Sequence, residues 1–422
     1  MNDIIVGLDI GTSFIRCVIG QVDEEDRRLS IIGESQIPSP GLVEGNIVNL
    51  NAMSDAVRAA VEEAEDCAGL GVKGVFTAIG GKQAEGRSST GGVAIDPSGN
   101  NQCVEITEEA KDRVQEVARA VIHSMGKELL QSIPQEYRVD GNPVGKNPID
   151  IMGVRLDISV YLISVTKSTL VNIENCLDRS RLILNGLYLK TLMAALATMR
   201  DEEMELGSIL IDIGTESTDA LVIYKGAPIY MTTIPFGGNS VTSDIAIIKN
   251  LPKSEAERLK LEYGCCMLDE DERDEEVLIP EIGARSAEET TRGELCDIIQ
   301  PRMEEIMRDV RREIVRHAGL KELTGSIVLT GGGALMPGIQ ELTQQVWNTV
   351  AVRLGQSPDY GRVEDNDGYL YRRPDFATAV GLVVGNLPKP ESEKPRKTVR
   401  HEKFDSGFSL FDKAKRVWNK FF

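Results

Sequence analysis

Two tetrapeptides in this 422-residue chain are identical: Asp9-Ile10-Gly11-Thr12 and Asp212-Ile213-Gly214-Thr215. Each closes an apolar run and leads into small polar residues, Ser13 in the first and Glu216-Ser217 in the second. Such a turn can hold phosphate, because glycine lets backbone N–H groups point outward and the hydroxyls add donors. Asp9 and Asp212, at the ends of their runs, are placed to hold a hydrated Mg2+. A third turn, Gly331-Gly332-Gly333, leaves room for a base or ribose against the backbone. No GxxxxGK(S/T) occurs, since "GGKQAEG" (80–86) departs from it, and the turns make no GxGxxG fingerprint. These residues predict a nucleotide held between two related halves.

The elements that must position them are legible as patterns. "IIVGLDIGTSFIRCVIG" (4–20) and "ILIDIGTESTDALVIY" (209–224) each predict a strand, a tight turn and a returning strand. Their spacing suggests an internal duplication. Helical stretches follow each, at 53–67 and 254–264. Residues 105–126 predict a helix opened by a Thr107 cap, 155–165 alternate as a strand, and 326–346 run strand, turn, helix. Strands alternating with helices point to an α/β architecture. The acidic run "DEDERDEE" (269–276) reads as a solvated loop.

Net charge is −19, which argues against nucleic-acid binding. From residue 389 onward ten Lys or Arg face five Asp or Glu, a local +5 that leaves −24 on residues 1–388. Residues 388–406 are rich in Pro and charge without apolar periodicity, and read as a disordered linker. Beyond it, "GFSLFDKAKRVWNKFF" (407–422) holds five of the twenty aromatic residues. At about 100° per residue, Phe408, Leu410, Phe411, Ala414, Val417, Trp418, Phe421 and Phe422 share one side of a helix. Lys413, Arg416 and Lys420 lie opposite, with Lys415 at the edge. Sixteen residues with four cations cannot span a bilayer but can lie in its anionic interface, aromatic side down. A helix docked on the chain's own domain or on a partner protein is the competing reading.

The seven cysteines (17, 67, 103, 176, 265, 266, 296) show no CxxC spacing, and the three histidines (123, 317, 401) lie far apart. Neither a cysteine–histidine metal site nor a disulfide framework is expected from them. The chain enters "DIIVGLDIG" with no signal-peptide pattern, so a cytoplasmic protein is expected.

Together these features resemble the actin, Hsp70 and sugar-kinase superfamily, and more narrowly the bacterial FtsA family. "IPQEYRVDGNPVGKNPIDIMGVRLDISVYLIS" (133–164) resembles a segment peculiar to FtsA, and "IPFGGNSVTSDIA" (234–246), "AERLKLEYGC" (256–265), "LCDIIQPRMEEI" (295–306) and "TAVGL" (378–382) resemble further blocks in order. The resemblance implies an actin-like two-lobed α/β fold with a central nucleotide cleft. Subdomain 1A would comprise 1–82, 165–196 and 366–387; an FtsA-type 1C subdomain, 83–164; 2A, 197–246 and 323–365; and 2B, 247–322. A disordered linker (388–406) and a C-terminal amphipathic membrane helix (407–422) would complete it.

It further implies ATP and Mg2+ as cofactors. Gly238, Glu257, Lys260 and Met336 would join the three turns around the nucleotide, the Glu257–Lys260 pair gripping the adenosine. The alternative for that pair is an ordinary surface ion pair. Implied partners are the C-terminal peptide of FtsZ, other copies of the chain in a filament, anionic membrane lipids, and other division proteins through 83–164. Arg285, Arg302 and Glu305 fall near the family's peptide-contact positions, and the implied location is the inner face of the cell membrane at the division site.

Two departures stand out. The second turn usually reads Asp-Ile-Gly-Gly-Gly-Thr, whereas here Thr215, Glu216 and Ser217 add bulk and a charge that repels phosphate. Thr191 stands where hydrolysing relatives often carry a water-positioning Glu, so at most weak hydrolysis is expected. A small-molecule kinase of the same superfamily, or a pilus-assembly actin homologue, is the alternative.

Overall fold

The computed structural model describes residues 3–388 except 24, 26, 44, 97, 99–101, 121–125, 282–286, 319–322 and 362–368. Arg285, most of the expected linker and the whole expected membrane helix therefore lie outside the described residues.

The first "DIGT" joins β1 (Asp3–Ile10) to β2 (Phe14–Val22) as an antiparallel hairpin, and β3 (Leu29–Pro38) extends the meander. Helix α1 (Leu50–Ala68) begins at Asn49, whose side chain accepts from the Ala52 N–H at 3.1 Å. It buries Met53, Val57, Ala60, Val61 and Ala64, the three-to-four spacing of one helical face. Strand β4 (Gly74–Ile79) returns to lie parallel to β1.

An inserted antiparallel unit follows. It contains β5 (Ala84–Ala94), α2 (Glu108–Arg119), β6 (Lys127–Val139), β7 (Asn142–Gly145) and β8 (Arg155–Thr166), its sheet ordered β7-β6-β8-β5. Helix α2 carries the expected Thr107 cap. The unit has its own core around Ile106, Val114, Tyr137, Leu156 and Ile158.

Helix α3 (Lys167–Arg179), strand β9 (Ile183–Leu189) and helix α4 (Lys190–Thr198) complete the first half, whose sheet runs β9-β4-β1-β2-β3. The second half repeats the plan with the second "DIGT". Strands β10 (Ser208–Ile213), β11 (Thr218–Tyr224) and β12 (Ala227–Ile234) form the meander. Helices α5 (Gly238–Ile248), α6 (Lys253–Tyr263) and α7 (Arg292–His317) lead to β13 (Ile327–Thr330), α8 (Ile339–Trp347) and β14 (Val352–Leu354). Its sheet runs β12-β11-β10-β13-β14, so in each half three antiparallel strands sit beside two added in parallel. All six residues of β10 are buried, as expected of a central strand covered on both faces.

Between the two sheets run α4 and α9 (Ala377–Val384), buried throughout except at Lys190. Their crossing needs Gly381, because a Cβ there would stand 1.8 Å from the carbonyl oxygen of Met193. Apolar side chains of both halves meet in this layer, Leu192 and Leu382 from the helices with Leu210 and Leu221 from the second sheet. Burying each such chain fully contributes about 1.5–3 kcal/mol. The layer also brings the two "DIGT" turns face to face.

Candidate nucleotide site

Each "DIGT" turn is closed by the same bond. Gly11 N–H donates to the Phe14 carbonyl at 3.0 Å, and Gly214 N–H to that of Ser217 at 2.9 Å. Ser13 and Thr215 hydroxyls then meet across the cleft at 2.8 Å. The start of α5 is tied to the second turn, with Gly238 N–H on Gly214 O at 2.9 Å and Asn239 N–H on Thr215 O at 2.8 Å.

These turns line a cavity of about 400 Å³ between the halves. It gathers Gly11, Thr12, Ser13, Asp212, Gly214, Thr215, Glu216, Ser217, Gly238, Glu257, Lys260, Gly331, Gly332, Gly333 and Met336. Asp9 lines an adjoining cavity of about 330 Å³ that shares Gly11, Thr12 and Ser217 with the first. Thus every residue expected at the nucleotide reaches one continuous cleft.

Gly331 shows why the third turn is glycine. Its φ is +81°, and a Cβ would stand 2.2 Å from Asp212 Oδ1. Gly332, by contrast, has open space where a side chain would begin.

The Glu257–Lys260 pair is more than a surface contact. Lys260 Nζ lies 2.6 Å from Glu257 Oε2, 2.8 Å from Thr242 Oγ1 and 3.2 Å from Gly238 O. The Thr242 hydroxyl also donates to Glu257, which clasps α5 to α6 at the cavity wall. Lys260 is nearly buried whereas Glu257 is open to solvent.

Four cleft residues were not singled out from the sequence. Lys190, the first residue of α4, lines both cavities. Its Nζ stands 3.4 Å from Asp212 Oδ2 and 3.9 Å from Asp9 Oδ2. Burial pulls this ammonium's pKa down, but Asp212, Asp9 and Asp219 outweigh burial and the net shift is upward. Asp219 sits opposite Asp212 in the β10–β11 register. Burial pushes its carboxyl up to about 6 and Asp212 adds to the rise, against hydrogen bonds from Thr233 Oγ1 at 2.6 Å and Gly81 N–H at 3.1 Å. Arg16 donates to Asp375 at 2.7 Å, with both side chains lining the larger cavity. One signal for Lys190 was available: it is a cation opening a helix otherwise made of Thr, Leu, Met and Ala.

Asp212 Oδ1 is buried without a hydrogen-bond partner, and the missing Cβ of Gly331 leaves that flank clear. An orphaned carboxylate oxygen at a phosphate turn fits a hydrated cation, so Asp212 and its neighbour Asp9 suit Mg2+ on this side. Thr191 is buried, and its hydroxyl has no partner.

Arg302 makes a two-pronged contact with Asp244 at 2.6 and 3.1 Å and reaches Glu305 at 2.5 Å. These two expected peptide-contact residues are thus paired with each other on α7, and neither lines the two cavities, although the adjacent Met303 lines the larger.

Comparison with known proteins agrees with this architecture. A sequence profile of the family described as "Cell division protein FtsA" matches residues 209–381, and one described as "SHS2 domain inserted in FTSA" matches residues 81–164. Cell division protein FtsA of Borreliella burgdorferi is 37% identical over 394 residues, covering 93% of this chain and 92% of that protein.

The chain belongs to the FtsA cell-division family.

The FtsA proteins of Bacillus subtilis and Escherichia coli are 34% and 32% identical, each over 90% of this chain and over 83% and 89% of their own. Among solved structures, the PilM-PilN type IV pilus biogenesis complex aligns with a TM-score of 0.65 at 18% identity, over 91% of this chain and 99% of that one. At that identity it speaks for the fold alone. This FtsA-family chain therefore has the mixed α/β actin-like fold, with the SHS2 domain as its insert. Among the described residues no helix is long and apolar enough to cross a membrane.

Proposed function

We propose that this chain binds ATP in the cleft, assembles with copies of itself, and holds FtsZ at the inner face of the cell membrane during division. The observation that carries the reading is the joining of two duplicated phosphate turns in one cleft in a chain of the FtsA family. The amphipathic segment 407–422 supports the membrane part through its pattern alone.

ATP with its Mg2+ supplies a polyphosphate that both halves can hold at once. Hydroxyls of Thr12, Ser13, Thr215 and Ser217 face it from two sides, and Lys260 with Glu257 walls the opposite end. Asp9 and Asp212 are the residues for the cation. The neutral, buried Thr191 hydroxyl cannot orient an attacking water as a carboxylate would, so hydrolysis is slow and the chain acts chiefly as a recruiting filament.

Phe408, Phe411, Trp418, Phe421 and Phe422 would enter the lipid interface, with Lys413, Lys415, Arg416 and Lys420 on anionic headgroups. Each cation adds about 1 kcal/mol, so one tail binds reversibly and a filament of tails firmly. Arg285, Arg302 and Glu305 are proposed contacts for the FtsZ C-terminal peptide, and residues 83–164 for other division proteins.

The test is sedimentation of the full chain, and of a version ending at Asp405, with anionic and neutral vesicles in the presence and absence of MgATP. Loss of anionic-vesicle binding on truncation is expected, with ATP increasing the binding of the full chain. Equal binding by both versions would overturn the membrane role.

A further inference from the structure

Lys190 occupies an unusual place for a lysine. It opens a buried helix, where the helix dipole already puts positive charge and disfavours a cation. What holds it there is the carboxylate pair, Asp212 at 3.4 Å from one half and Asp9 at 3.9 Å from the other, with Asp219 close behind. Its side chain remains about a quarter exposed, toward the cleft, and lines both cavities.

We infer that Lys190 is a built-in cation of the phosphate site, standing at the Oδ2 oxygens of Asp9 and Asp212 and making nucleotide binding less dependent on a divalent ion. The inference rests on the ATP reading above. Without a counter-charge, Asp9, Asp212 and Asp219 would turn three carboxylates on an incoming polyphosphate, and Glu216 lines the same cavity. A divalent ion can answer that repulsion only while it is present. Lys190 is fixed by the fold, reaches both halves and faces the cavity. It leaves Asp212 Oδ1 open, so an ion can add to it rather than having to replace it. The competing account is that Lys190 merely staples the two halves together.

The measurement is calorimetric titration of the full chain with the non-hydrolysable analogue AMPPNP, in excess Mg2+ and in EDTA, for wild type, Lys190→Gln and Lys190→Arg. Chelation should weaken wild-type binding by no more than about fivefold and Lys190→Gln binding by about thirtyfold or more, with Lys190→Arg resembling wild type. Equal sensitivity of wild type and Lys190→Gln to EDTA would overturn the inference and leave the staple. Wild type that binds with Mg2+ but loses all binding in EDTA overturns it even where the Gln variant fails to fold. No binding by wild type with Mg2+ would instead sink the ATP reading, and this inference with it.

Discussion

Ser13 and Thr215, 202 positions apart, touch hydroxyl to hydroxyl at 2.8 Å where the two phosphate turns meet. The contact joins the halves directly, so it should register in stability. Ser13→Ala and Thr215→Val should each cost about 1 kcal/mol, and the double variant no more than the larger single. Urea unfolding of the three variants checks this, and full additivity would show that the hydroxyls do not interact.

Lys260 joins α5 to α6 at the cavity wall. Lys260→Met removes the ammonium from Glu257, Thr242 and Gly238 together. Nucleotide affinity should fall about tenfold, the effect of one charge-assisted contact, with a circular dichroism spectrum unchanged. Unaltered affinity would make the pair a clasp between helices and nothing more.

The third turn separates stability from binding. Gly331→Ala puts a methyl 2.2 Å from Asp212 Oδ1 at a φ of +81°, and should destabilise by more than about 2 kcal/mol. Gly332→Ala meets nothing within 4 Å and should leave the melting temperature unchanged while lowering nucleotide affinity, because its methyl would enter the cavity. Thermal melts with and without ATP distinguish the two.

Glu203 provides the pH test. Burial alone would raise its pKa, but Arg353, at 2.8 and 2.5 Å, and the Arg200 N–H hold it at about 2 instead of 4.5. A depressed folded-state pKa contributes stability that is whole above 4.5 and lost as pH falls toward 2. Glu203→Gln should therefore cost about 2–3 kcal/mol at pH 7 and progressively less below pH 4.5. A penalty that stays constant from pH 7 to pH 3 would contradict this.

Much of the fold was legible because its signals are local. The duplicated "DIGT" predicted two hairpins, and β1–β2 and β10–β11 stand at those residues. The expected strand at 155–165 is β8, residues 155–166, and the Thr107 cap opens α2. That helix ends at Arg119, short of the expected 126, with residues 121–125 outside the described set.

Within the cleft, the turns themselves could be read because a glycine followed by hydroxyls has a phosphate-binding chemistry at any position in a chain. Lys190, Asp219 and the Arg16–Asp375 pair could not. Their meaning depends on partners elsewhere in the chain: Lys190 on Asp9 and Asp212, 181 and 22 positions away, Asp219 on the Gly81 N–H, 138 away, and Arg16 on Asp375, 359 away. In the register of the duplicated hairpins, Arg16 pairs with Asp9 and Asp219 with Asp212, so the two halves carry opposite charges at matching places.

By itself, the sequence determined the duplication, the three glycine turns, the acidic body and the basic aromatic end, because periodicity, backbone freedom and charge are properties of neighbours along the chain. Only the tertiary structure decided that a lysine at the head of a buried helix lies between the two aspartates expected to share a metal ion. Packing α4 between the sheets brings one residue of the first half within reach of carboxylates from both, and no spacing along the chain encodes that distance.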